Sequence, residues 1–412
     1  MNASKKTEEN IIILINSLKG IMTIFLGPFL TAYFIKISKD SIVDLSIYYI
    51  FSYLLLGIGT FVVARIIKNK FKLGMFRIGV ILNCIYIISI IILREKIIKY
   101  LWMVSILYGI SASSYWLPFN LFVANKVENS KRTEYTVKSR IILCLVGILA
   151  PLILGTIITV TNYELTAVII LFISIIQIIF SFILKQEKTT NYSKTNYKKI
   201  IEKMKNNKSV KKLCLLEILT GMNISDAALK ILITVIIFNS FKTNLNLGII
   251  NSLTVCLSMI CVYLYGKKFK YKEDKIVIII SSILPVIALF IFLIFKNNVT
   301  LILYNIFYII LIDLLKLTRE IRIYNIFNSN DISKEEQCDI MALRELMLNI
   351  GRIIGYLIML VAGICNNQFV LNMALIILTL SMPIMGFVLS KMGKYENSSV
   401  LTHQSNDKSK II

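Results

Sequence analysis

Between Ile11 and Ile35 a single charge, Lys19, interrupts an otherwise apolar and small-polar run. About twenty helical residues cross the roughly 30 Å hydrocarbon layer of a membrane. A soluble core would instead alternate apolar and polar residues with a period of 2 or 3.6. Runs of this kind recur twelve times, over residues 11–36, 42–66, 73–93, 100–124, 138–160, 163–184, 213–238, 245–265, 276–295, 299–324, 340–364 and 368–390. The mean hydropathy of +0.75 agrees with that reading. All five prolines (Pro28, Pro118, Pro151, Pro285, Pro383) fall inside these runs, where a transmembrane bundle tolerates them because neighbouring helices satisfy the freed carbonyls. The expected fold class is therefore all-α and integral to the membrane, embedded in the lipid bilayer. The first run is too long for a signal h-region and no small-residue cleavage site follows it, so it is expected to be a retained helix.

Charge placement excludes other classes. The net charge is +23, but it lies in short loops without the aromatic interleaving of a nucleic-acid binder, so no nucleic acid is expected as a partner. The seven cysteines are scattered with no C-x-x-C, and the only histidine is His403 in the tail. Neither a metal site nor a cofactor is expected. HExxH, GxSxG and Walker-type GxxxxGK[ST] motifs are absent from the sequence, which argues against an enzyme.

The one long polar interruption, residues 185–212, holds ten Lys against two Glu and reads as a basic cytoplasmic linker. It separates expected six-helix bundles at 1–184 and 213–390, with a tail at 391–412. With both termini cytoplasmic, the inner segments hold 35 Lys and Arg and the outer loops seven, the bias that sets orientation. Sliding the chain by 204 residues lays the first half on the second; Arg140 precedes Gly147 by seven positions, as Arg344 precedes Gly351. Six-plus-six parallel repeats imply two pseudo-symmetric bundles about an axis along the membrane normal, with a central cavity between them.

These features resemble the major facilitator superfamily of secondary transporters. The basic loop GTFVVARIIKNKFKLGMFR after the second run, its echo YGKKFKYKED after the eighth, and NKVENSKR before the fifth stand where that family places its loop motifs. Ser105 occupies the slot where drug–proton antiporters carry an Arg in helix four. In helix five GILAPLILG offers Gly147, Pro151 and Gly155, similar to the antiporters' glycine–proline motif, which implies a conformational hinge and favours export over uptake; close helix packing is the plainer reading. By the resemblance, helices one, four, seven and ten line the cavity. The Ile-, Lys- and Asn-rich composition points to a bacterial inner (cell) membrane.

Charges within the spans supply the candidate site. On helix ten, Asp313, Lys316 and Glu320 fall within an arc of about 60° at 100° per residue, whereas Arg319 and Arg322 reach the interface and snorkel. Helix one carries Lys19; helix seven carries Asn223, Asp226 and Lys230; helix four carries Tyr115, Trp116 and Asn120; helix eleven carries Glu345, Asn349 and Arg352. Left in lipid, Lys19, Asp226, Lys230, Asp313, Lys316 and Arg352 would together cost roughly 15–20 kcal/mol, more than the usual ~5–15 kcal/mol of folding stability. They must pair between helices or face water. The expected function is alternating-access secondary transport, as a monomer, of a small polar or charged organic solute. Asp226, Asp313 and Glu320 are the expected proton-coupling carboxylates, and Lys19, Tyr115, Trp116, Asn120, Asn223, Lys230, Lys316, Glu345, Asn349 and Arg352 the expected substrate contacts. A lipid-linked saccharide flippase and a non-transporting solute sensor are the alternatives.

Overall fold

A computed structural model of the protein describes residues 2–38, 41–67, 72–126, 132–185, 202, 205–223, 227–268, 274–327 and 337–392. Most of the expected linker and the tail from residue 393 lie outside the described residues. The described residues form twelve long helical elements: α1 (Glu8–Ile37), α2 (Ile42–Ile67), α3 (Lys72–Leu93), α4 (Leu101–Lys126), α5 (Arg132–Val160), α6 (Tyr163–Ile183), α7 (Lys208–Asn223 with Ala228–Phe241), α8 (Asn244–Lys268), α9 (Asp274–Phe295), α10 (Asn298–Phe327), α11 (Gln337–Cys365) and α12 (Gln368–Lys391). No strand occurs among the described residues. A 3₁₀ segment, Arg94–Tyr100, folds α4 back along α3.

Two halves of six helices meet along two long seams, α2 against α11 and α5 against α8. The pseudo-twofold exchanges these seams, because α2 corresponds to α8 and α5 to α11. Corners repeat as well: Arg94 after α3 and Lys296 after α9 both take a left-handed φ of 46°, the usual way to stop a helix at a reversal. Side chains such as Ile92 (72% exposed), Ile294 (73%) and Val160 (78%) face outward, a surface suited to acyl chains and not to water. Inside, many hydroxyls return to the carbonyl one turn back, as in Ser46 to Ile42 (2.8 Å), Thr60 to Leu56 (2.8 Å) and Thr254 to Ile250 (2.6 Å), which satisfies their donors inside the bundle.

Two helices depart from regular geometry at mid-span. In α1, residues Phe25–Phe29 form a π-helical turn around Pro28, which absorbs the missing amide without ending the helix. In α7 the described residues form helices over Lys208–Asn223 and Ala228–Phe241, and Ala227 before the second is extended at φ −75°, ψ 155°. The Tyr308 hydroxyl of α10 donates to the Asn223 carbonyl, tying α10 to the first stretch of α7.

Small residues allow the tight crossings. A Cβ at Gly351 of α11 would stand 1.9 Å from the Ile218 carbonyl oxygen of α7, and one at Gly221 would stand 2.0 Å from the Leu348 carbonyl oxygen. Backbone against backbone cannot yield as a flexible side chain can. Gly351→Ala is expected to lower the thermal midpoint of the purified protein by an amount equivalent to about 1–3 kcal/mol, read from a denaturation scan in detergent; an unchanged midpoint would contradict this crossing.

Candidate functional site

The polar interior is built from both halves, and the first half supplies a cavity. Residues of α1 (Lys19, Thr23, Gly27), α2 (Tyr48, Tyr49, Tyr53), α3 (Asn83) and α4 (Tyr108, Ser111, Trp116) line it. It is narrow, about 30 Å³ by the space open to water centres, room for roughly two or three waters. Lys19 is 5% exposed. Its ammonium donates to Asn83 Oδ1 at 2.8 Å and stands 4.9 Å from the centroid of the Tyr115 ring, an arrangement that fixes the position of a positive charge in a low-dielectric surrounding. Tyr115 itself is fully buried, packs on Phe76 and Phe119, and meets Gln177 Nε2 at 3.4 Å. Trp116 lines the cavity and Tyr115 backs it.

A ladder of tyrosines joins this cavity to the second half. Tyr356 of α11 stacks on Tyr49 and Tyr53 of α2 with centroids 4.6 and 5.7 Å apart. The Arg352 guanidinium lies 4.7 Å over the Tyr53 ring and donates to Asn349 Oδ1 at 3.0 Å. Asn349 in turn donates to the Glu345 carbonyl at 2.7 Å. Thus Asn349 and Arg352 share one face as expected, with Glu345 contributing its backbone.

In the second half, Lys316 pairs with Asp313 at 2.8 Å, and the Ser258 hydroxyl of α8 donates to the other carboxylate oxygen at 2.6 Å. The pair is partly open, 27% and 29% exposed. Lys230 of α7 and Cys144 of α5 lie within electrostatic reach of Asp313, so this carboxylate sits where the second half faces the first. Glu320 points toward Arg140 of α5 at 3.6 Å, both about half exposed; such a pair contributes about 0–1 kcal/mol. Asn223 is turned to α12, donating to the Ser381 hydroxyl and to the Leu219 carbonyl. Asn120 is exposed and not among the cavity-lining residues. Asp226 lies outside the described residues.

On α5, the expected hinge residues line the seam with α8. A Cβ at Gly155 would stand 2.7 Å from the Asn244 carbonyl oxygen, one at Gly248 would stand 2.4 Å from that of Pro151, and Gly147 faces Val255. The motif therefore holds one half against the other at close approach.

Two arginines depart from the sequence expectation. Arg319 and Arg322 are 5% and 3% exposed; α10 continues to Phe327, so neither snorkels to an interface. Arg319 pairs with Glu217 of α7, and Arg344 of α11 donates to the other oxygen of the same carboxylate at 2.9 Å. Glu217 is fully buried and absent from the sequence-based set. Its signal is a lone carboxylate inside an apolar run, with arginines near the ends of two other spans. One carboxylate between two guanidiniums neutralises half their charge and ties three helices together. Glu217→Gln is expected to cost about 3–5 kcal/mol of stability by stranding buried Arg319 and taking the partner from Arg344, seen as a large fall in thermal midpoint; a variant as stable as the parent would show that water reaches these arginines.

Among the described residues, no group of three or more His, Cys, Asp or Glu is placed to hold a metal ion. Residues 12–356 match the family model described as Major Facilitator Superfamily. The chain belongs to that superfamily. Membership makes it a multi-pass membrane transporter and not an enzyme, with a small molecule as its substrate. Among curated relatives, the uncharacterized protein YqgE of Bacillus subtilis (strain 168) is 22% identical over 363 residues, 87% of this chain and 83% of that protein. The crystal structure of the nucleoside transporter NupG superposes with a TM-score of 0.63 at 13% identity, covering 95% of this chain and 99% of that one. A bacterial homologue of the iron transporter ferroportin in the inward-facing state gives 0.61 at 14% identity, covering 94% and 98%. At such identities the two structures establish the superfamily fold and nothing finer.

Proposed function

We propose that the protein is an alternating-access secondary transporter that moves a small polar or charged organic solute through the space between its halves, residues 1–184 and 213–390. The carrying observation is where the mid-span charges stand. Arg352 lies over the Tyr53 ring at the α2–α11 seam, Lys19 lies against Asn83 and the Tyr115 ring in the first-half cavity, and the Asp313–Lys316 pair opens toward the first half beside the α5–α8 seam. A purely structural pair would be better sequestered than one that is 27% and 29% exposed. The close α5–α8 crossing at Gly155 and Gly248 gives the halves a surface on which to rock, and the interruptions of α1 and α7 stand at the depth where superfamily folds place their cargo site.

Asp313, with Asp226 and Glu320, is the coupling carboxylate of this reading. Lys316 and Ser258 each hold one of its oxygens, and these are contacts that rocking of the halves would break and a bound proton would replace. The excess of Lys and Arg in the segments on the side of the termini supports cytoplasmic termini in a bacterial inner membrane, and the helix-five motif supports export. The test is flux into proteoliposomes carrying an imposed pH gradient. Asp313→Asn is expected to abolish uphill accumulation while leaving downhill exchange measurable. Undiminished proton-driven accumulation by that variant would remove Asp313 from coupling, and binding without flux in the parent would indicate a sensor.

A further inference from the structure

We infer that the cargo is a planar organic anion, an aromatic or heteroaromatic carboxylate, received in the first-half cavity with its acid group on Lys19 and its ring against the tyrosine and tryptophan faces. This inference rests on the transporter reading above and names the substrate class of that site. Three observations converge. First, the described lining residues include one cation, Lys19, and no carboxylate; the remaining polar groups are mainly hydroxyls and an amide that can donate. Such a lining attracts an anion and offers nothing to balance a metal ion or an organic cation. Second, Tyr48, Tyr49, Tyr53, Tyr108 and Trp116 contribute five aromatic rings to a cavity of about 30 Å³. Walls of that kind suit a flat ring, which offset-stacks on them without an ordering entropy of its own. Third, a Cβ built on Gly27 meets no atom within 4 Å, although the residue is buried and lines the cavity. The missing side chain leaves a space for the ring edge, which makes Gly27 the residue that sets cargo size.

The charge chemistry narrows the anion. Lys19 is a compact ammonium whose position is set by Asn83 at 2.8 Å and the Tyr115 ring at 4.9 Å. One ammonium balances a monoanionic carboxylate in full, whereas a phosphate dianion would keep an uncompensated charge in this buried lining. Because the cavity now holds only a few waters, the ring must enter when the α2–α11 seam loosens and Tyr356 leaves Tyr49, which links binding to the rocking of the halves.

The chain has two tryptophans, and Trp102 is 56% exposed, so Trp102→Phe leaves Trp116 as a reporter inside the cavity. The purified variant is titrated with benzoate, indole-3-carboxylate and nicotinate, and in parallel with benzamide, acetate, inorganic phosphate and manganese(II). Saturable change of Trp116 emission by the aromatic acids is expected, with benzamide weaker than benzoate by at least about tenfold, the loss of one charge-assisted hydrogen bond. Lys19→Met is expected to erase that ratio, and Gly27→Val to weaken aromatic acids without changing the thermal midpoint. Benzamide binding as tightly as benzoate in the Trp102→Phe background overturns the inference, whatever the folding of the Lys19 variant. A response to phosphate or manganese(II) in place of the aromatic acids does so as well. In sealed proteoliposomes, accumulation of uridine or manganese(II) without any aromatic carboxylate overturns this inference and leaves the transporter reading standing. Passage of none of these solutes counts against both.

Discussion

An ionised side chain at the centre of a bilayer costs about 2.5–3.5 kcal/mol even on lenient scales, and the architecture of this protein follows from giving such groups somewhere to go. Glu217, Arg319 and Arg344 solve the problem by pairing across α7, α10 and α11. Lys19 solves it with an amide and a ring, Arg352 with another amide and another ring. Asp313 and Lys316 pair but stay partly open toward the other half. The outer surface, by contrast, is left to isoleucine, leucine, valine and phenylalanine.

The halves divide the work unequally despite the repeat in their sequence. The first half carries the aromatic cavity with the mid-span Lys19; the second carries a dense ion network. Arg140 and Arg344 occupy matching positions, yet Arg344 is locked on Glu217 while Arg140 reaches across the seam to half-exposed Glu320. A tightly paired arginine braces one bundle, and a weakly paired one can let go when the bundles move. The tyrosine ladder of Tyr49, Tyr53 and Tyr356 crosses the other seam, so both seams carry contacts that rocking would make and break.

Much of this was legible in the sequence. The twelve runs, the 204-residue register and the mid-span charges all correspond to elements of the fold, because helix length and charge burial are local or additive properties. Helix ends moved by a few residues, as with α5, which begins at Arg132 instead of 138. What the sequence hid was nonlocal. The partners of Glu217 lie 102 and 127 residues away, so nothing near it marks a triad. Arg319 and Arg322 looked interfacial because they stand about twenty residues along α10; neighbouring helices bury them, with Glu217 of α7 taking Arg319. Tyrosines read as apolar filling in one dimension, and only the approach of α2 to α11 turns three of them into a stack.

The central claim is that the charged mid-span groups border water that reaches them from each side in turn. Gly27 borders the cavity and tolerates a side chain, which makes Gly27→Cys, in a background with the seven native cysteines replaced, the direct probe. In oriented membrane vesicles a membrane-impermeant maleimide is applied to one face at a time. The account predicts labelling from both faces, with a saturating cargo or an imposed proton gradient shifting the balance between them. A thiol that reacts from neither face would contradict it, because the cavity would then be a dry packing defect in a static bundle.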